Sequence, residues 1–160
     1  MPAILLLGAW GGAPQLNTMK KVLFACVHNS GRSQMAEAFF NHYATGKAEA
    51  FSAGTRPASH VDQTVVKAMR EIGIDISSKR AKTLTSEMLE SADRVITMGC
   101  GVEDVCPATF VPFEDWQLED PEGQSIDKVR AIRDEIETRV KRLIENSKLS
   151  KEGENAKTAV

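Results

Sequence analysis

Cys26-Val27-His28-Asn29-Ser30-Gly31-Arg32-Ser33 follows directly on the apolar run Val22-Leu23-Phe24-Ala25, and this succession decides how the chain folds. The run, extended to Val27, reads as a buried strand. Met35, Ala36, Phe39 and Phe40 then recur with helical spacing, so a helix is expected from Gly31 to about Thr45. A strand passing through a short polar loop into a helix is the plan of an anion cradle. Cys26 and Arg32 stand at its two ends. The backbone N–H groups of Val27, His28, Asn29, Ser30, Gly31 and Arg32, the guanidinium and the helix N-terminus can then converge on one tetrahedral oxyanion. The same field favours the charged form of the Cys26 sulfur, which is the nucleophilic one. A single cysteine in a strand is ordinarily inert core. Here Gly31 permits close backbone approach, and the hydroxyls of Ser30 and Ser33 are at hand to support a thiolate.

Outward from this loop, strand and helix signals alternate. Ala48 to Ala53 reads as a second strand closed by Gly54, and Val61 to Ile72 as a helix with Val65, Val66, Met69 and Ile72 on its apolar face, ending at Gly73. Ser86 to Ser91 reads as a short helix, Arg94 to Met98 as a third strand and Thr109 to Phe113 as a fourth. A final helix from about Ser125 to Asn146 carries the stripe Ile126, Val129, Ile132, Ile136, Val140, Leu143 and Ile144. The pattern predicts an α/β fold, a single three-layer domain whose four-stranded parallel sheet has helices on both faces. Ligands bind at the carboxyl ends of the strands in such sheets, which collects Cys26, Cys100 and Glu119-Asp120-Pro121 on one edge.

The 160 residues carry a net charge of −2, and their Lys and Arg are dispersed, which excludes a general nucleic-acid binder. Residues 1–18 hold only a short apolar stretch with no basic region before it, so neither a signal peptide nor a membrane span is expected. They read as a disordered leader ahead of a catalytic domain at 19–148, with a polar, flexible tail at 149–160. Three cysteines, an odd number, do not make a secreted disulfide framework and suit a reducing cytoplasm.

Cys100 and Cys106 lack the second Cys/His pair of a zinc site, so no metal is expected. Two unrelated buried thiols are the plain alternative to a redox pair. Glycines at 99 and 101 allow the chain to present Cys100 to Cys26. Thiol exchange then supplies a logic: Cys100 displaces an oxyanion held covalently on Cys26, and Cys106 next attacks Cys100. That requires a guest reducible by thiols, which arsenate is and phosphate is not. Asp120, restricted by Pro121 and followed by Gly123, is the candidate general acid, while Glu119 reads as surface.

The motifs Cys26 to Glu37, Ser52-Ala53-Gly54, Gly73 to Ser77, the cysteines at 100 and 106, and Glu114-Asp115-Trp116 leading into Asp120-Pro121 resemble the arsenate reductases built on the low-molecular-weight protein tyrosine phosphatase fold. The resemblance covers about residues 20 to 146. It implies Cys26 as nucleophile, Arg32 and the loop amides as oxyanion holders, Ser33 as support for the thiolate and Asp120 as general acid. Cys100 and Cys106 become resolving thiols of the branch recycled by thioredoxin. Where mycothiol or glutathione completes the reaction instead, Cys106 is only structural. Some relatives bind potassium through Asn, Glu, Ser and Asp. Asn29, Glu37 and Ser52 match, and Lys82 stands where the aspartate belongs, its ammonium able to hold Glu37 and Asn29 in place. Phosphatases of this fold usually carry a proline at the position of Met35 and aromatic residues at those of Glu122-Gly123, so stacking partners for a phosphotyrosine ring are missing. The reading is a monomeric enzyme acting on arsenate without a bound cofactor. A phosphatase and a thiol-based oxyanion sensor are its rivals.

Overall fold

Alternation along the first strand sets the layers. In β1 (Lys21–Cys26), Val22, Phe24 and Cys26 face a large apolar cluster, and Leu23 faces a smaller one across the sheet. A computed structural model describes residues 20–99 and 113–159, with side chains described to residue 147 but not at Phe113. The larger cluster is formed with α1 (Arg32–Tyr43), α2 (Gln63–Arg70) and α4 (Ile126–Ala159). On the other face, Leu84, Met88 and Leu89, around α3 (Ser86–Ser91), pack on Leu23, Ala53 and Val95.

β2 (Glu49–Gly54), β3 (Arg94–Thr97) and β4 (Phe113–Asp115) complete a wholly parallel sheet of order β2-β1-β3-β4. Strand order reverses at β1, whose register places Cys26 opposite Gly54. Cys26 therefore ends the central strand at the switch point, where crossovers diverge and leave a crevice. The α/β three-layer architecture is the expected one. Among the described residues no helix is long and apolar enough to cross a membrane.

Helix ends follow their caps. Asp62 accepts the N–H groups of Thr64 and Val65 at the head of α2, and Thr85 accepts that of Met88 at the head of α3. α2 stops at Arg70, short of the expected Ile72, because Gly73 at φ +85° turns the chain and lets Ile74 N–H bond back to Met69 O. Ile72 thus lies beyond the helix and is 40% exposed rather than on its apolar face. The fourth strand was expected at Thr109 to Phe113. The pairing with β3 instead uses Phe113–Asp115, and 109–112 lie outside the described residues. α4 runs past Asn146 to Ala159, through the stretch expected to be loose. Once a helix is seeded, each further residue adds a bond, and this stretch contains Lys, Glu, Leu and Ala without proline. The expected stripe of α4 is buried from Val129 to Ile144, with Ile126 partly covered.

A carboxylate fastens α2 to α4. Arg130 binds both oxygens of Glu71, at 3.0 and 2.6 Å, and Arg133 reaches one of them at 3.1 Å. These hydrogen bonds, led by Arg130, hold the Glu71 carboxyl down from an ordinary 4.5 to about 2. A carboxylate depressed on folding stabilises the native state above its unfolded value, and loses that contribution as pH falls through the folded one. Urea midpoints of the wild type and Glu71→Gln are accordingly expected to differ near neutrality and to converge as the pH falls from 4.5 to about 2. A pH-independent gap between them contradicts this.

Candidate active site

The shape of the loop after β1 is set by where its carbonyls go. Those of Cys26, Val27, His28 and Ser30 accept the N–H groups of Thr55, Arg56, Ala58 and Asp62 at 2.8 to 3.2 Å. Peptide planarity then turns the following N–H groups away from segment 55–62 and into the cradle. Gly54 allows this contact, since a Cβ there would lie 2.5 Å from Val27 O.

Asn29 is bent to φ +50°, a left-handed conformation that Asn tolerates better than most residues. The bend aims its N–H at Cys26 Sγ, 3.1 Å away. Its amide nitrogen donates to Ser33 Oγ at 2.7 Å, and Ser33 Oγ lies 2.8 Å from the sulfur. Because that nitrogen can only donate, the Ser33 proton is free to point at the sulfur, so the hydrogen-bond chain runs from Asn29 through Ser33 to Cys26. Ser33, rather than Ser30, contacts the sulfur; Ser30 contributes its carbonyl to Asp62.

Asn29 is itself held through Oδ1, which accepts Gln34 Nε2 at 3.0 Å and the backbone N–H of Lys82 at 2.8 Å. Behind it, Ser52 donates to Glu37 Oε1 at 2.9 Å, and the ammonium of Lys82 lies 3.8 Å from the same oxygen. Lys79 lies 3.4 Å from the other Glu37 oxygen. Asn29, Glu37, Ser52 and Lys82 are thus brought together. Gln34 and Lys79 join them without a local sequence signal.

Gly31 precedes α1, whose first turn holds no acidic residue and no side-chain cap, so the helix N-terminus faces the cradle uncompensated. Arg32 is buried, with Nη1 donating to Met98 O at 2.9 Å and to Leu118 O at 3.0 Å. Its Nη2 lies 3.7 Å from Asp120 Oδ2, which brings the expected acid to the mouth of the loop. At that mouth His28, Asp120 and Glu122 have potential ligand atoms within 4.8 Å of one another. Arg32 faces Asp120, and His28 Nδ1 lies 3.6 Å from Glu122, so the three side chains are engaged within this corner of the loop. Glu119 is exposed and paired with Lys128 at 3.0 Å, a surface residue as expected. Cys100 and Cys106 lie outside the described residues. Gly99, described just before them, has φ +87° and donates to Asp115 Oδ1 at 2.7 Å, while Thr97 donates to the same oxygen at 2.6 Å.

Fold and loop together define the phosphatase-like class of α/β domains, with a cysteine at the end of the central strand. The chain belongs to the low molecular weight phosphotyrosine protein phosphatase family, whose model matches residues 21–155. It is 43% identical to the glutaredoxin arsenate reductase of Synechocystis over 130 residues, 79% of this chain and 97% of that protein. A thioredoxin-dependent arsenate reductase from Corynebacterium glutamicum superposes with a TM-score of 0.72 at 42% identity, covering 83% of this chain and 64% of that one. The low molecular weight tyrosine phosphatase of T. tengcongensis superposes with a TM-score of 0.73 at 29% identity, covering 79% of this chain and 99% of its own.

Proposed function

We propose that this protein is an arsenate reductase, releasing arsenite through a relay of its own thiols. The observation that carries the reading is the Asn29–Ser33–Cys26 hydrogen-bond chain at the floor of a cradle of inward N–H groups. The arsenate reductases at about 40% identity support it.

In this reading the Cys26 thiolate attacks arsenic in a hydrogen arsenate dianion held by the amides of 27–32 and by Arg32. A sulfur–arsenic bond forms, an arsenic–oxygen bond breaks, and Asp120 supplies the proton with which the oxygen leaves as water. The Cys100 thiolate then attacks the Cys26 sulfur. A Cys26–Cys100 disulfide forms and the sulfur–arsenic electron pair passes to arsenic, reducing As(V) to As(III), which leaves as arsenite after protonation. Cys106 attacks Cys100, freeing Cys26, and an external dithiol reduces the Cys100–Cys106 bond. Lys82, Glu37 and Ser52 hold the loop in shape behind Asn29 and touch no reacting atom. No resident cofactor or metal enters any step.

Thioredoxin is the donor favoured by the Corynebacterium relative's name, and glutaredoxin chemistry by that of the Synechocystis relative. Arsenite formation is expected with thioredoxin and its reductase, and at most a trace with glutathione or mycothiol systems. Product only with a low-molecular-weight thiol transfers the reading to that branch and leaves Cys106 structural. No arsenite with any donor overturns it.

A further inference from the structure

The turn that carries Asp120 is closed on itself and fastened to the anion loop at three points. Within it, Asp120 Oδ1 accepts Glu122 N–H at 3.0 Å and Pro121 O accepts Gln124 N–H at 3.1 Å, with Gly123 at φ +73°. Its first attachment is the Pro121 ring, buried where a Cβ on Gly31 would come within 2.8 Å of Pro121 Cγ. The second is Asp120 against Arg32, at 3.7 Å. The third is Glu122 Oε2, 3.6 Å from Nδ1 of His28.

Of the three attachments, the third is the one made between two solvent-facing side chains. The His28 backbone is immobilised by the bond from Ala58 N–H to its carbonyl, while its half-exposed imidazole faces the turn. We infer that His28 is a positioning residue for Asp120: its imidazole engages Glu122 and so seats the Asp120–Pro121 turn against the anion loop. The inference rests on the assignment of Asp120 as the acid. Without His28, Asp120 and Glu122 face each other as like charges beside Arg32, and the turn loosens outward. From the turn, Asp120 and Glu122 face His28; the anion loop adds Cys26 and Arg32, and segment 55–62 carries Arg56, His60 and Asp62 as its charged or titratable groups.

The test uses the full chain and reads the single-turnover rate of arsenite release at saturating arsenate, with the half-saturating concentration. At about pH 6, His28→Gln and Glu122→Gln are each expected to lower the rate about three- to fivefold, the size of an exposed ion pair, with half-saturation changed less than about twofold. The double variant is expected to be no slower than either single one, since both remove one contact. His28→Lys, which places a cation opposite Glu122, is expected to keep the wild-type rate. Losses that multiply in the double variant, a His28→Gln rate equal to that of the wild type, or a His28→Lys rate as low as that of His28→Gln, overturn the inference. Asp120→Asn separates the two levels: removal of the acid itself lowers the rate at least about 100-fold. If Asp120→Asn instead retains the wild-type rate, the acid assignment falls, whatever His28 does.

Discussion

Cys100→Ser is expected to stop arsenite release, with turnover lowered at least about 1,000-fold, because groups that act as one unit fail together. Attack by Cys26 does not require Cys100, so the variant should still consume one arsenate per chain and hold it as a sulfur–arsenic adduct. Mass spectrometry of the quenched protein and an arsenite assay read the two outcomes separately. A phosphatase has no use for residue 100, so undiminished turnover of a phosphate ester with no arsenite from the wild type would transfer the chain to that activity. A sensor would show no turnover before or after the change. Cys26→Ser removes adduct and turnover together, and supplies the baseline.

The second large effect is expected at Arg32. Its guanidinium holds two backbone carbonyls through Nη1 and faces Asp120 through Nη2, so one planar group sets the end of β3, the approach to the acid turn and the rim of the cradle. Lysine keeps the charge but cannot reproduce a fork that serves several acceptors at fixed angles. Arg32→Lys should lower kcat/KM for arsenate about 100- to 1,000-fold, the loss typical of one oxyanion donor. A thermal unfolding scan alongside distinguishes this from collapse, since the apolar core beneath Met35, Phe39 and Phe40 is untouched. A variant within about tenfold of the wild type would remove Arg32 from the oxyanion contacts.

What could be read from the chain was what local spacing encodes. The unbroken run from Val22 to Ala25, the loop after it and the 3.6-residue stripes of α1 and α4 are short-range patterns, and the fold carries each of them. The strand–loop–helix order placed Cys26, Ser33 and Arg32, which lie within seven residues of each other. Gln34 bonds to Arg80, Lys79 pairs with Glu37, and Glu122 reaches His28, each across tens of residues, and no periodicity announces such pairs. They meet because the sheet brings its carboxyl ends to one edge. The sequence places a fourth strand that ends at Phe113, whereas the pairing with β3 continues to Asp115, because bonding to β3 rather than local alternation sets where that strand stops. In the stretch from Ser150 the apolar stripe ends although the helix does not, and a polar surface reads in sequence as a tail.

The four carbonyls turned out against residues 55–62 leave the loop splinted before any guest arrives. Its conformational entropy is surrendered when the domain folds. In the function proposed above, an arriving oxyanion then gives up only its own hydration and tumbling, and the remaining affinity is available to lower the barrier at sulfur.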